Sequence, residues 1–220
     1  MGRKTTARKQ ARRPRTAGSG NNARGSLLAA ARDAFAARGL EGARVDDIAR
    51  RAKVNKQLVY HYFGSKDGLY TAVLEDVYSE IREQEQALEL SALPAEAAMR
   101  RLIEFSFDYL ATHPAFVSLL ADENAHQGRH LQDSARLAEL NRPIIDLMRE
   151  TLERGMAEGV FRQGLDPLHV YLSIAGMSFF YFANIHTLGR AFSRPLGSEP
   201  AISERRGHIV DFALSAIRAR

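Results

Sequence analysis

Residues 27–76 read LLAAARDAFAARGLEGARVDDIARRAKVNKQLVYHYFGSKDGLYTAVLED. Three short apolar sets stand in this stretch at helical spacing: Leu28, Ala31 and Phe35; Val45, Ile48, Ala49 and Ala52; Leu58, Val59, Tyr62 and Phe63. In a helix of 3.6 residues per turn, each set falls on one side. Gly39 supplies a stop after the first helix. Asn55 is a good cap for the third, because its short polar side chain can accept an orphan backbone N–H. The second and third helices are joined by a tight turn. That is the layout of a helix-turn-helix, whose second helix offers its outer face to the major groove.

Within Lys56–Phe63, Val59 and Phe63 share an inner side, and Val54 ahead of them can pack inward. Lys56, Gln57, Tyr60 and His61 recur at i, i+1, i+4 and i+5, which makes one outer stripe. All four carry hydrogen-bond donors suited to phosphates and base edges. The same pattern suits a solvated polar face on a small core helix, so spacing alone leaves both readings open.

Charge is uneven along the chain. The 220 residues hold 31 Lys and Arg against 26 Asp and Glu. Arg3, Lys4, Arg8, Lys9, Arg12, Arg13, Arg15 and Arg24 lie in the first 24 residues, which contain no acid; the remainder is therefore net acidic. Residues 1–22, rich in Gly, Ser, Thr and Asn, are expected to form a disordered basic arm. Such an arm tracks phosphates or enters a minor groove, or else it only solubilises. There is no cysteine, so disulfides, thiol nucleophiles and thiolate metal sites are excluded. No apolar run reaches the roughly eighteen residues of a membrane helix. The longest, Val170 to Ile185, is interrupted by Ser173, Gly176, Ser178 and Asn184. The polar N-terminus is no secretory signal, and the cytoplasm is the expected compartment, with no membrane partner. Neither a nucleophile–base arrangement, a Gly-rich phosphate loop nor a paired-carboxylate motif points to an enzyme.

Beyond the quoted stretch the sequence predicts helices throughout, giving an all-α chain of about nine helices by apolar periodicity. A long helix runs from Ser65 with Tyr70, Leu74, Val77, Ile81 and Leu88 on one side and Gln84 as a polar break. Pro94 opens the next, with Met99, Leu102, Ile103, Ser106, Tyr109 and Leu110 in register. His113-Pro114 ends it, a short helix reaches about His126, and Gly128 marks a turn. Another face holds Leu137, Leu140, Ile144, Leu147, Met148 and Thr151; Gly155, Gly159 and Gly164 loosen the chain after it. Asp166-Pro167 opens a helix to about Leu188 that is apolar on every side. Its consecutive Phe179, Phe180, Tyr181 and Phe182 cannot all hide against one neighbour, so a second subunit is expected on one side. A loop over 189–200 and a last helix with Ile202, Ile209, Phe212, Ala213 and Ala216 complete the chain.

The quoted stretch resembles the DNA-binding region of the tetracycline-repressor (TetR) family. That family shows an Ala-rich first helix with a late Phe, then Gly, Ile-Ala, a Val-Ser turn, Tyr and Tyr/His-Phe, and Ser-Lys before Leu. Here these are Ala29, Ala30, Phe35, Gly39, Ile48, Ala49, Val54, Tyr60, Tyr62, Phe63, Ser65, Lys66 and Leu69. The resemblance implies a DNA-binding domain over 23–68 (helix-turn-helix 43–62) and an effector-binding and dimerisation domain over 69–220. It implies a homodimer through the last two helices, an inverted-repeat operator in double-stranded DNA, most often repression, and no cofactor. Release by a small molecule is also implied. Lys56 and Gln57 would approach bases; Tyr60, His61 and Tyr62 would face DNA; Arg44 and Lys66 would meet phosphates; and Asn55 caps the reading helix.

Three positions depart from the family pattern. Ala43 stands where Thr is usual, which removes a hydroxyl cap. Lys53 stands where Gly is usual in the turn, at a cost of roughly 1 kcal/mol if the backbone there is left-handed. Gln57 stands where a small residue is common, and glutamine can pair with adenine. For the effector, Phe105, Tyr109, Phe116, Met148, Met177 and Phe180 could line a cavity suited to an apolar or aromatic molecule, or could be plain core. Asn124 and His126 are candidate polar contacts or a structural cluster. Glu123, His126 and His130 fall at i, i+3 and i+7, a pattern that could hold zinc. Gly128 interrupts it and no fourth ligand is evident, so no metal is expected.

Overall fold

The structure is a computed structural model that describes residues 18–132 and 134–219. Most of the expected basic arm, residues 1–17, lies outside the described residues. Helix α1 (Gly18–Gly42) already includes residues 18–22, which were expected to end the arm. It is broken at Gly39, whose φ of 65° and ψ of 177° only glycine adopts freely. Helices α2 (Val45–Arg51) and α3 (Gln57–Phe63) complete the head. The acids Asp46 and Asp47 sit in the first turn of α2 and Arg50 and Arg51 in its last, complementing the helix dipole.

Helix α4 (Lys66–Gln86) starts at Ser65, whose hydroxyl accepts from the Gly68 amide at 2.9 Å. Leu88 lies past its end, so the sequence face runs one turn too far. A single 3₁₀ turn at Leu90–Ala92 leads to α5 (Ala95–Thr112), followed by α6 (Pro114–Ala125) and α7 (Ala135–Ala157). Helix α8 (Pro167–Ala183) is capped by Asp166, whose carboxylate accepts from the His169 amide at 2.8 Å. The helix expected to reach Leu188 instead breaks at Asn184. There α9 (Ile185–Ala191) leaves at 70°, and the Asn184 side-chain amide turns back to donate to the Phe180 carbonyl. Helix α10 (Glu199–Ile217) carries Pro200 in its first turn rather than in the preceding loop. The described residues thus hold ten helices. None alone is long and apolar enough to cross a membrane, although the bent pair α8–α9 passes by length and composition.

Two apolar cores form. One joins the head to α4 and to parts of α5 and α6, centred on Leu27, Phe35, Ile48, Val59, Leu69 and Tyr70. The Phe35 and Tyr70 rings meet edge to face at 5.0 Å. Helix α1 packs along α6, so the head shares its interior with the body. The other core lies among α5, α7, α8 and α10, around Met99, Phe107, Met148, Phe161 and Leu214. Gly155 serves this core and does not loosen it: a Cβ there would run into the Phe161 ring. Arg206 clamps Asp108 through two bonds of 2.7 Å and so fixes α10 to α5.

Candidate nucleic-acid interface and cavity

The turn between α2 and α3 passes through Lys53 at φ 56°, the left-handed conformation that the family's usual Gly would adopt without strain. Val54 behind it is half-buried against the head core. Asn55 Oδ1 accepts from the Gln57 amide at 2.9 Å and caps the helix from two positions ahead of its first residue. Val59 is fully buried beneath α3, and Phe63 is half-buried with the Arg24 guanidinium 5.3 Å above its ring. With that inner side fixed, Lys56, Gln57, Tyr60 and His61 are all exposed on the outer one, Tyr60 by 53%.

Around this stripe, Tyr62 is half-buried, its ring 4.9 Å from that of His61. Arg44 is exposed at the head of α2 and makes no side-chain cap there; Ala43 beside it is buried. Lys66 Nζ donates to the Glu41 carbonyl at 3.3 Å, which ties the start of α4 to the end of α1. Lys56 pairs with Asp46 of α2 at 3.1 Å, and that carboxylate holds its ammonium above the usual range, chiefly by hydrogen bonding. Sequence reading missed Asp46 as a partner. Its place in the first turn of α2, across the turn from Lys56, was the available signal.

A cavity of about 270 Å³ lies between α4, α5, α6 and α8. Of the eight residues expected to line such a space, only Phe116 does so. Phe105 and Tyr109 form an aromatic cluster behind it, Tyr109 edge-on to Phe116 at 5.5 Å and stacked on His113 at 3.9 Å. Met148 is fully buried in the other core. Met177 lines a larger surface trough of about 560 Å³ between α8 and α10, open along Phe212. Phe180 points outward, 58% exposed, because Tyr181 and Ser178 take the inward positions of α8. Asn124 and His126 fold back on their own helix, to the Leu120 and Asp122 carbonyls at 2.8 and 2.7 Å. Neither reaches the cavity.

The polar end of the cavity was absent from the sequence expectation. Arg82 and Glu85 are both buried there, with Nη1 to Oε2 at 2.6 Å, and Arg82 Nη2 donates to the Tyr171 hydroxyl at 3.0 Å. Burial pushes the Glu85 carboxyl up to about 7 despite Arg82 beside it. Tyr78, Arg82 and Glu85 recur at i, i+4 and i+7, a spacing that marks one inner face of α4.

The segment after α6 is a structural knot. Gly128, at φ 71°, turns the chain so that Glu123 accepts from both the His130 amide at 2.8 Å and its Nδ1 at 2.7 Å. His126 stands apart, its ring 6.0 Å from that of His130. Among the described residues, no group of three such side chains is placed to hold a metal ion. Asp122, one position earlier, accepts from the Leu40 amide at 3.0 Å and the Tyr70 hydroxyl at 2.8 Å, joining α6 to the head.

A short helix, a left-handed turn and a donor-bearing second helix on an all-helical body define a helix-turn-helix regulator. Residues 27–73 match the bacterial regulatory proteins of the tetR family, and residues 94–213 match the Tetracyclin repressor-like C-terminal domain. The HTH-type transcriptional repressor NicS of Pseudomonas putida is 37% identical over 195 residues, covering 89% of this chain and 92% of that one. The repressor KstR2 of Rhodococcus jostii is 30% identical, covering 65% and 70%. The solved structure of the ketosteroid transcriptional regulator KstR2 of Mycobacterium tuberculosis superposes with a TM-score of 0.65 at 25% identity, covering 90% and 95%. The chain belongs to the TetR family of DNA-binding transcriptional regulators.

Proposed function

We propose that the protein is a repressor that binds an inverted-repeat operator as a homodimer and leaves it when a small molecule enters the cavity between α4, α5, α6 and α8. The observation that carries this reading is the α3 stripe: Lys56, Gln57, Tyr60 and His61 are exposed together on a helix whose other side is locked into the head core. Lys56 and Gln57 meet base edges, Tyr60, His61 and Tyr62 meet the sugar-phosphate wall, and Arg44 and Lys66 meet phosphates on either side. The two-subunit arrangement is supported by α8, where Leu168, Leu172 and Phe180 are exposed at i, i+4 and i+12 with Gly176 between them. Phe212 of α10 continues that apolar face. Two copies joined there would set two reading helices about one turn of DNA apart. The protein works in the cytoplasm, where the chromosome is accessible, and needs no cofactor.

A nuclease footprint of the full-length protein on the DNA upstream of its own gene tests this reading. Protection of one short inverted repeat is the expected result. Uniform coverage of any DNA would mean a packaging protein instead.

A further inference from the structure

From the polar end of the cavity we infer that the effector is a small monocarboxylic acid with a compact apolar or aromatic body, bound by Arg82 and Tyr171 with Glu85 taking up a proton. The inference rests on the proposed function only in treating this cavity as the effector site.

Three observations carry it. Arg82 is 4% exposed and lines the cavity, yet its Nε–H has no partner among the described residues. An unpaired buried guanidinium N–H is costly, and a carboxylate is the ligand whose geometry matches the Nε–Nη2 edge. Nη2 already touches the Tyr171 hydroxyl, which accepts from it and keeps its own proton to donate. A carboxylate at that edge therefore gains both groups.

The second observation is charge. The cavity holds one cation, Arg82, and no lysine lines it, so a dianion such as a phosphate monoester would leave excess buried charge. With a monocarboxylate in place, Arg82 would face two carboxylates, its own Glu85 and the ligand. Protonating Glu85 restores neutrality. Its carboxyl is already near that point because burial raises it to about 7. The other titratable groups around it are the tyrosines Tyr78 of α4 and Tyr109 of α5, whose hydroxyls burial holds more firmly protonated, and Tyr171 of α8. On the α7 side, Pro143, Ile144 and Leu147 face the pair; the charged Arg136 and Glu139 of α7 stand with Glu83 around the outer side of Arg82, all three exposed to solvent. Glu85 is thus the group that accepts the proton.

The third observation is shape. Apart from Tyr78 and Ser106, the remaining wall is apolar, with Ile81, Leu110, Phe116, Leu120 and Phe179, and the volume of about 270 Å³ lies at the small end of ligand sites.

Calorimetry on the full-length protein tests this with benzoate, phenylacetate and cyclohexanecarboxylate, each beside its neutral amide. At least one acid should bind once per protomer, about tenfold or more tighter than its amide. At pH 8, titrations in buffers of different ionisation enthalpy should show close to one proton taken up per site. Arg82→Gln should abolish the preference for acid over amide. Tyr171→Phe, which leaves the buried pair in place, should narrow it severalfold by weakening the acid more than the amide. Glu85→Gln should retain the acid and remove the proton uptake.

No binding by any of the acids overturns the inference, as do amides that match their acids or a preference that survives both Arg82→Gln and Tyr171→Phe. Operator release is scored separately by gel shift. Acids that bind through Arg82 but leave the operator complex intact would support the ligand class and refute effector release. Amides that release DNA as well as the acids would refute the ligand class and keep effector release.

Discussion

Burial raises the Glu85 carboxyl to about 7, whereas in the unfolded chain it releases its proton near its ordinary value of 4.5. Between those limits the native state binds more protons than the unfolded state, so stability falls as pH rises through the window. The magnitude is roughly 3 kcal/mol. Glu85→Gln should remove this slope, so that the variant's melting temperature gains on the wild type from pH 5 to pH 8; parallel curves would show that another group titrates. At the DNA face, Lys66→Ala should weaken operator and random DNA alike and reduce the salt slope by about one contact. Filter binding at several salt concentrations measures this, and an unchanged slope would remove Lys66 from the phosphate set.

The helix-to-helix junctions carry their own constraints. At the α1 break, a Cβ on Gly39 would lie 2.7 Å from Asp122 Oδ1, in a backbone conformation that already disfavours side chains. Gly39→Ala should therefore cost about 2 kcal/mol or more in urea unfolding. Asp122→Ala should cost about 1–3 kcal/mol by orphaning the Leu40 amide. The double variant should cost less than the sum, because both changes strike one contact. In α7, Gly155→Ala should cost about 1–3 kcal/mol as the Phe161 ring is displaced; a neutral result would mean that the α7–α8 turn can shift freely. The sequence showed most elements of the head and several of the body, since capping residues and 3.6-residue spacing act locally, at Asn55 in the head and at Ser65 and Asp166 beyond it. It did not show the cavity. Which of Phe105, Phe116, Met148, Met177 and Phe180 meets empty space depends on how four helices cross, and no local pattern encodes that crossing. Phe180 was hidden by its aromatic neighbours, and the Arg82–Glu85 pair by reading only apolar residues along α4.

At the scale of the whole molecule, the α8 face holds three of the six large apolar side chains exposed among the described residues. Leu168, Leu172 and Phe180 are each about half exposed or more, an arrangement that monomeric proteins rarely keep. Phe180→Asp should convert the protein to a monomer in sedimentation velocity while its helical signal persists. Operator affinity should fall by about tenfold or more, since two linked heads bind far better than one. A dimer that survives this substitution would place the interface elsewhere. The α8 face and the cavity meet at Leu172 and Gly176, which line the one and belong to the other. On the proposed function, occupancy of the cavity and the posture of the second subunit would therefore be joined at a single helix.

The Lys56–Asp46 contact bears on how such a protein finds its target. Away from the operator, one of the cations at the centre of the reading face is already occupied by a carboxylate from its own head. The pair is exposed and its hold is weak, but it lowers the pull of the reading face on arbitrary polyanion. On the proposed reading, stays on unrelated chromosome would be shortened and the search would move on sooner. On that reading, a site whose base edges replace Asp46 would keep the lysine engaged, and discrimination would begin with a contact that is broken before any is made.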